Sequence, residues 1–303
     1  MSIENLVRMY STNEELPEKF ANYRIIIPLS MAGVLIAIII ACIILLLVLL
    51  SKRLHIVTHL LICNTCIASI VYCIIQCVNY IFLTLIPWET NDFSCRWRGY
   101  FGYMAVAAVV YSYLTQAISR FFNSILSTKY HWAILYKTHL ILILIQWVIV
   151  LIIPLPALLT EDIYYRPHAL CWVSIEYTLH IIYSVTAYYF IPAIFIFVIY
   201  IQIYFYIKHH QQNVFNTTIQ TRSSHDLQIL YNILILLVIY TVGAIPTLLY
   251  LLTEIEILYE IGIVSVSFTV AIEKLMTLLL DREMRNMIRL YFHRSIVRIQ
   301  TIT

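Results

Sequence analysis

The feature that most constrains this chain is a set of seven long apolar runs separated by short polar segments. The runs cover about residues 25–50, 56–84, 96–124, 138–160, 178–207, 227–252 and 257–280. About 20 apolar residues cross a bilayer as a helix, and lipid offers the backbone no hydrogen-bond partner outside that helix. We therefore predict an all-α membrane protein, a bundle of seven transmembrane helices.

The composition supports this fold class and excludes others. Hydrophobic residues make up 62% of the 303 residues and charged residues only 12%, about half the charged fraction of a typical soluble domain. The net charge of +3 is too small to indicate nucleic acid as a partner. The sequence contains no metalloprotease motif and no nucleophile elbow, so we expect neither an enzyme nor a cofactor.

The positions of the positive charges predict the orientation in the membrane. Of the 19 Lys and Arg residues, six lie on the side that holds the amino terminus and thirteen on the side that holds the carboxyl terminus. Loops rich in Lys and Arg stay in the cytoplasm. We therefore predict an amino terminus outside and a carboxyl terminus in the cytoplasm.

This orientation divides the chain into three parts. Residues 1–24 form an extracellular tail, residues 25–280 the membrane domain, and residues 281–303 a cytoplasmic segment. That segment begins with an apolar stripe set among arginines: Met284, Ile288, Leu290 and Tyr291. The pattern is typical of a short amphipathic helix on the inner leaflet, where the arginines meet anionic lipid.

Two of the seven cysteines are candidates for a disulfide bond. The other five lie within predicted spans, where a cysteine is usually a buried packing residue. Cys95 and Cys171 are the only two predicted outside, in the oxidising compartment. We predict a disulfide that joins the start of the third span to the loop after the fourth span. The alternative is two free thiols.

Several residues stand at spacings that resemble those of a known receptor family. Arg120 follows Cys95 by twenty-five residues, and the other landmarks are Trp88, Trp147, Pro192, Tyr200 and Pro246. Together they resemble the rhodopsin-like (class A) G-protein-coupled receptors over about residues 25–295. The resemblance implies a plasma-membrane receptor that passes the signal of an extracellular ligand to a cytoplasmic G protein through outward movement of the sixth helix.

The chain departs from this family at the activation switch. The Asp-Arg-Tyr motif reads Ser119-Arg120-Phe121, and the Asn-Pro-x-x-Tyr motif begins with Glu273 and Lys274. The resemblance assigns the switch to Ser119, Arg120, Phe121, Tyr200, Asp226, Pro246, Glu273 and Lys274. The replaced residues leave an alternative function, a receptor-like protein that binds a ligand or partner without normal G-protein signalling.

Asp226, at the inner start of the sixth span, is the candidate partner of Arg120. In the family, the Asp beside the arginine restrains it at rest, and the uncharged Ser119 cannot do so. An ion pair between Arg120 and Asp226 would tie the third span to the sixth. The alternative is that Asp226 caps its own helix.

Glu273 and Lys274 fall within the seventh span, where ionisable residues are costly and usually face a cavity or a partner. By resemblance, Glu273 faces the second span near Ser69 and supplies the carboxylate of a cation or proton site. The alternative is that Lys274 snorkels to the inner headgroups while Glu273 makes structural hydrogen bonds. A retinal pigment would need its lysine at Ser267, so a retinal Schiff base is not expected.

The outer half of the bundle is rich in tyrosine and amide side chains. By resemblance, a receptor for amines would carry a carboxylate at Gly102, so amines are disfavoured. The residues expected to line a cavity are Gln76, Asn79, Tyr80, Tyr103, Tyr183, Ser184, Thr247, Tyr250, Tyr259 and Glu260. Such side chains suit a neuropeptide or a small neutral ligand. Three loop acids either attract a basic peptide or are simply solvated: Glu161, Asp162 and Glu176.

Overall fold

The structure is a computed structural model that describes residues 23–51, 54, 56–84, 91–128, 130–165, 170–174, 176–213 and 217–289. The side chains of residues 24, 210–230, 232 and 233 lie outside this description. Trp88, the side chain of Asp226 and most of both predicted tails therefore lie outside the described residues.

Within the described residues, seven helical segments are long and apolar enough to cross a membrane, which confirms the predicted fold class. The helices are α1 Tyr23–Leu50, α2 Val57–Thr84, α3 Asp92–Ser124, α4 Tyr136–Ile152, α5 Leu155–Leu159, α6 Thr178–Val185, α7 Ile191–Asn213, α8 Thr217–Thr253 and α9 Glu256–Leu280, followed by α10 at residues 282–289. The fourth span consists of α4 and α5, and the fifth of α6 and α7. The remaining spans are single helices.

The third span lies at the centre of the bundle. In its most apolar stretch 72% of the residues are buried, against 22% to 50% in the other spans. It packs against the second, fourth, fifth and sixth spans, whereas the first span packs against the second and seventh. Its helix begins at Asp92, four residues before the predicted start, because the Asn91 side chain accepts a hydrogen bond from the Ser94 N–H at 2.8 Å.

Prolines interrupt the fourth and fifth spans. The chain turns at Pro154, between α4 and α5. In the fifth span a π-helical turn, Thr186–Phe190, separates α6 from α7 just before Pro192. Pro192 has no backbone N–H, and its ring would clash with the carbonyl of residue 188 in a regular helix. The wider turn accommodates the proline and rotates α6 relative to α7.

The helix α10 begins at a side-chain cap and packs one face against the bundle. The Asp281 Oδ1 atom accepts hydrogen bonds from the backbone N–H groups of Glu283 and Met284 at 2.9 and 3.0 Å. Met284 is fully buried against the first and second spans, whereas the arginines of α10 are exposed. This is the arrangement expected from the apolar stripe, although Leu290 and Tyr291 lie outside the described residues.

Candidate functional site

The two ends of the bundle are marked by different chemical groups. Cys95 and Cys171 are joined by a disulfide with an S–S distance of 2.04 Å, which confirms the predicted bond. Arg120 lies twenty-five residues further along the third span, about 37 Å away at 1.5 Å per residue. We call these the disulfide end and the arginine end.

The loop after the fourth span covers the disulfide end. The backbone N–H of Val173 donates to the Tyr103 hydroxyl at 3.2 Å, and that of Leu170 donates to the Tyr259 hydroxyl at 3.4 Å. The Trp172 ring packs edge-on against Tyr103, with the centroids 4.8 Å apart. The loop therefore connects the third span to the seventh above the interior of the bundle.

Gly99 allows this loop to approach the third span. A Cβ atom at Gly99 would lie 2.5 Å from the Cys171 carbonyl oxygen and 2.8 Å from the Ile163 side chain. Real Cβ contacts do not come so close, so a larger residue would push the loop away. Sequence reasoning missed Gly99, because a glycine inside a helix gives no signal of what packs against it.

Two of the three loop acids considered as attractors of a basic peptide already have partners. The Glu161 Oε1 atom accepts a hydrogen bond from Arg96 at 2.7 Å. The Asp162 carboxyl contacts the His180 imidazole. Glu176 is exposed. The first two carboxylates therefore hold the disulfide end together, which weakens the case that they attract a basic ligand.

Three of the predicted ligand-binding residues are buried on the second span. Gln76, Asn79 and Tyr80 are each at most 4% exposed. The Tyr80 and Ser267 hydroxyls share a hydrogen bond at 3.1 Å, and the Gln76 Nε2 atom donates to the Tyr72 hydroxyl at 3.3 Å. Among the described residues, Gln76 Oε1 and Asn79 Oδ1 have no hydrogen-bond partner.

Further predicted ligand-binding residues lie where the sixth and seventh spans meet. The Tyr250 and Tyr259 rings are 5.0 Å apart between centroids. Thr247 packs against Gly262, where a Cβ atom would lie 2.7 Å from the threonine hydroxyl. Like Tyr103, these side chains are partly buried, as are Ser184 and Glu260.

Tyr183 does not lie where sequence reasoning placed it. It is 37% exposed, and its hydroxyl donates to the Ile153 carbonyl of the fourth span at 2.8 Å. The side chain therefore lies on the outer surface of the bundle and does not line the interior. The prediction assumed a regular helix through the fifth span, and the π-helical turn changes the rotation of the residues before it.

Glu273 and Lys274 form a buried ion pair. The Lys274 Nζ atom lies 2.9 Å from Glu273 Oε1, and the two residues are 0% and 1% exposed. Lys274 Nζ also donates to the Thr65 carbonyl of the second span at 3.4 Å. The alternative that Lys274 snorkels to the headgroups is therefore wrong. Because Lys274 supplies a cation beside the carboxylate, this contact provides no reason to place a second cation there.

Amide side chains link the second span to the third and fourth spans. Gln116 Nε2 donates to the Thr65 hydroxyl at 2.6 Å. Asn64 Nδ2 donates to Gln146 Oε1 at 2.6 Å, and Trp147 Nε1 donates to Asn64 Oδ1 at 3.0 Å. These contacts fix the second span against the third and fourth. The described residues contain no group of three His, Cys, Asp or Glu side chains placed to hold a metal ion.

At the arginine end, Arg120 is 8% exposed and its Nη2 atom donates to the Thr58 hydroxyl of the second span at 2.9 Å. Tyr200 of the fifth span is 4% exposed and interacts electrostatically with the guanidinium. Ser119 is buried, and its hydroxyl has no hydrogen-bond partner within the described part of the chain. The Asp226 side chain lies outside that part, so its pairing with Arg120 stays a prediction.

The structure also describes Phe121 and Pro246, two further switch residues predicted from the sequence. Phe121 is partly buried and packs against Phe122, with the ring centroids 6.5 Å apart. Pro246 lies within the continuous helix of the sixth span. Sequence reasoning missed Thr58, whose contact with Arg120 depends on how two helices are rotated toward each other.

A contact between an imidazole and a carboxylate connects the second span to the start of α10. The His59 Nε2 atom lies 3.3 Å from Asp281 Oδ2. Burial acts to raise the pKa of the Asp281 carboxyl, but the His59 imidazole and the N–H groups of Met284 and Glu283 outweigh it. The pKa of Asp281 therefore lies below its ordinary value, and the carboxylate is charged at neutral pH.

Comparisons with known proteins agree with this architecture. The family model for the 7 transmembrane receptor (rhodopsin family) matches residues 40–273, more than half of the chain. A search of curated proteins gives no significant match. The matched segment runs from the first span to Glu273 and includes both disulfide cysteines and Arg120. The chain therefore belongs to the rhodopsin family of seven-transmembrane receptors and is a multi-pass membrane protein.

Proposed function

We propose that this protein is a G-protein-coupled receptor of the plasma membrane. An extracellular ligand binds at the disulfide end, and a heterotrimeric G protein binds at the arginine end after the sixth span moves outward. The observation that carries this proposal is the central third span, which joins a covered polar interior at one end to a buried Arg120 at the other.

Two independent features support the orientation. The Cys95–Cys171 disulfide suits the oxidising exterior. At the other end, α10 exposes three arginines that suit the anionic headgroups of the cytoplasmic leaflet: Arg282, Arg285 and Arg289. The amino terminus then lies outside, and the carboxyl terminus lies in the cytoplasm.

One restraint on Arg120 lies within the described residues. Its Nη2 atom donates to the Thr58 hydroxyl at 2.9 Å, a contact that ties the third span to the second. Loss of this contact should therefore raise G-protein activation without added ligand.

The test is G-protein dissociation in cells, measured for each G-protein class without ligand and with a peptide library. Wild type is compared with Arg120→Ala at matched surface expression, and Leu144→Ala, at an exposed position in the fourth span, serves as the control. The proposal expects a signal that Arg120→Ala abolishes and Leu144→Ala retains. Silence of the wild type across all classes and the whole library, with the protein at the surface, would overturn it.

The buried Glu273–Lys274 pair favours a second function. This pair stands where the family has Asn-Pro, and it fixes the seventh span to the second through the Thr65 carbonyl. A seventh span held in this way suits a receptor-like protein that binds a ligand or partner without activating a G protein. Ligand binding without any G-protein dissociation would identify this alternative.

A further inference from the structure

The second span begins between two side-chain contacts at the arginine end. Thr58 and His59 lie in the first turn of α2. The Thr58 hydroxyl accepts a hydrogen bond from Arg120 of the third span at 2.9 Å, and His59 Nε2 lies 3.3 Å from Oδ2 of Asp281, the residue before α10. The first turn of a helix lacks several internal hydrogen bonds and opens easily. The side-chain contacts on both sides therefore help to fix where this turn lies.

The Asp281 carboxyl connects this turn to α10. Its Oδ2 atom contacts His59, while its Oδ1 atom accepts the backbone N–H groups of Glu283 and Met284 and so caps α10. The His59 side chain is 3% exposed and that of Asp281 is 19% exposed, so the contact between them is largely shielded from water. A displacement of α10 therefore moves the carboxylate that His59 contacts.

One face of α10 is packed against the bundle. Met284 is 0% exposed and lies in an apolar cluster with Leu54 and residues of the first and second spans. The Ser51 hydroxyl at the end of the first span donates to the Met287 sulfur at 3.8 Å. These contacts hold the apolar face of the helix.

The exposed side of α10 is positively charged. Arg282, Arg285 and Arg289 follow each other at spacings of three and four residues, which places them on one side of the helix. All three are exposed, whereas Glu283 is half-buried. We call the three arginines the basic face of α10. Anionic phospholipid headgroups complement this charge, and each basic residue near such a surface strengthens binding by about fivefold.

We propose that anionic phospholipid headgroups of the inner leaflet bind the basic face of α10 and thereby restrain Arg120. The restraint passes through the contact between Asp281 and His59 to the first turn of α2, and then through Thr58 to the arginine. We call these two contacts the relay. Loss of the lipid loosens α10, weakens the relay and raises G-protein activation without added ligand. This last consequence rests on the proposed function.

Hydrogen exchange of the purified full chain tests the relay without a G protein. The protein is placed in nanodiscs of phosphatidylcholine with or without phosphatidylserine, and amide exchange is followed at α10, at the first turn of α2 and near Arg120. We expect phosphatidylserine to slow exchange at α10 about fivefold or more and to slow it at the other two segments as well. Slowing at α10 alone, or at none of the three segments, would overturn the inference.

Two controls establish that the partner is a lipid surface and that it binds α10. Glycerophosphoserine, the soluble headgroup, should leave exchange unchanged in phosphatidylcholine discs, and an effect equal to that of the lipid would reject a lipid surface. Arg285→Gln with Arg289→Gln should lose most of the lipid response. Lys137→Gln with Lys208→Gln removes two exposed charges at the inner ends of the fourth and fifth spans and should keep the response. Equal responses of the two double variants would show that the basic face is not the site.

Variants of His59 separate the relay from lipid binding. His59→Leu removes the contact with Asp281, so phosphatidylserine should still slow exchange at α10 but no longer near Arg120. His59→Gln places an N–H group close to the position of Nε2 and should respond like wild type. A response near Arg120 that persists in His59→Leu would show that the restraint takes another route. If His59→Leu does not fold, Thr58→Val, with Thr58→Ser as its control, makes the same test at the next contact.

Nucleotide exchange on a purified G protein then tests the consequence for signalling. Without ligand, phosphatidylserine should lower activation by wild type and leave activation by His59→Leu unchanged. A relay detected by hydrogen exchange in a protein that activates no G protein would leave the relay standing and reject the signalling function. G-protein activation by a protein whose hydrogen exchange shows no relay would do the reverse.

Discussion

Replacing Lys274 by methionine keeps an unbranched side chain of similar length but removes the charge that lies 2.9 Å from Glu273. Both residues are at most 1% exposed, so the remaining carboxylate cannot turn toward water. Removing one partner of a buried ion pair typically costs about 3–5 kcal/mol of unfolding free energy. For a domain of this size, 1 kcal/mol changes the unfolding midpoint by about 2–4 °C. The expected loss is therefore on the order of 10 °C.

A double variant separates the charge effect from the loss of packing. With Glu273→Met added to Lys274→Met, neither member of the pair carries a charge, and the stability should return most of the way to that of wild type. The assay is thermal unfolding of the purified proteins in nanodiscs at neutral pH. Lys137→Met, which changes an exposed lysine at the start of the fourth span, is the control and should change the stability by less than about 0.5 kcal/mol.

Two results would refute this reasoning. A Lys274→Met protein as stable as wild type would mean that Glu273 does not depend on the lysine charge. A double variant less stable than either single variant would mean that the pair contributes through the shape of its side chains.

Three further predictions concern single contacts. Gly99→Val should destabilise the protein by about 1–3 kcal/mol in thermal unfolding, because the valine side chain would overlap the covering loop. Gly102→Ala has room for its methyl group and should be neutral or slightly stabilising. Asp281→Asn should lower the stability at pH 5–7; because the pKa of Asp281 is lowered in the folded state, this difference should shrink below about pH 4. Thr58→Val should raise ligand-independent G-protein dissociation because it removes one hydrogen bond that holds Arg120, and Thr58→Ser should not.

Each of these predictions has an outcome that contradicts it. Equal stability of Gly99→Val and Gly102→Ala would mean that the loop is not closely packed at the first glycine. An Asp281→Asn difference that grows toward low pH would reverse the sign derived from the lowered pKa. Indistinguishable basal signals from Thr58→Val and Thr58→Ser would show that the hydroxyl does not restrain the arginine.

Features that depend on the order of apolar and polar residues along the chain could be predicted from the sequence. The seven spans follow from apolar length, and Ile25–Leu50 matches its prediction at both ends. The disulfide between Cys95 and Cys171 follows from the side of the membrane on which each cysteine lies. The burial of Gln76 and Asn79 agrees with their assignment to the interior, while their role in ligand binding stays a prediction.

Properties that depend on rotation about a helix axis could not be predicted in this way. Tyr183 lies on the outer surface because a π-helical turn before Pro192 changes the facing of α6. Lys274 pairs with Glu273 because the seventh span turns both side chains into the bundle, and apolar length does not report that rotation. The contact between Thr58 and Arg120 requires two helices to be placed against each other, so neither residue signals it alone.

The most direct test of the central claim is the distance between the fourth and sixth spans at the arginine end. Spin labels at Tyr136→Cys and Tyr231→Cys, both exposed positions, report this distance by pulsed electron resonance in nanodiscs. The labels are placed in a background in which the accessible Cys42, Cys63 and Cys77 are serine. The account predicts that the distance lengthens by several ångströms when the purified receptor binds at least one G-protein class. A distance distribution that no G protein changes would contradict it.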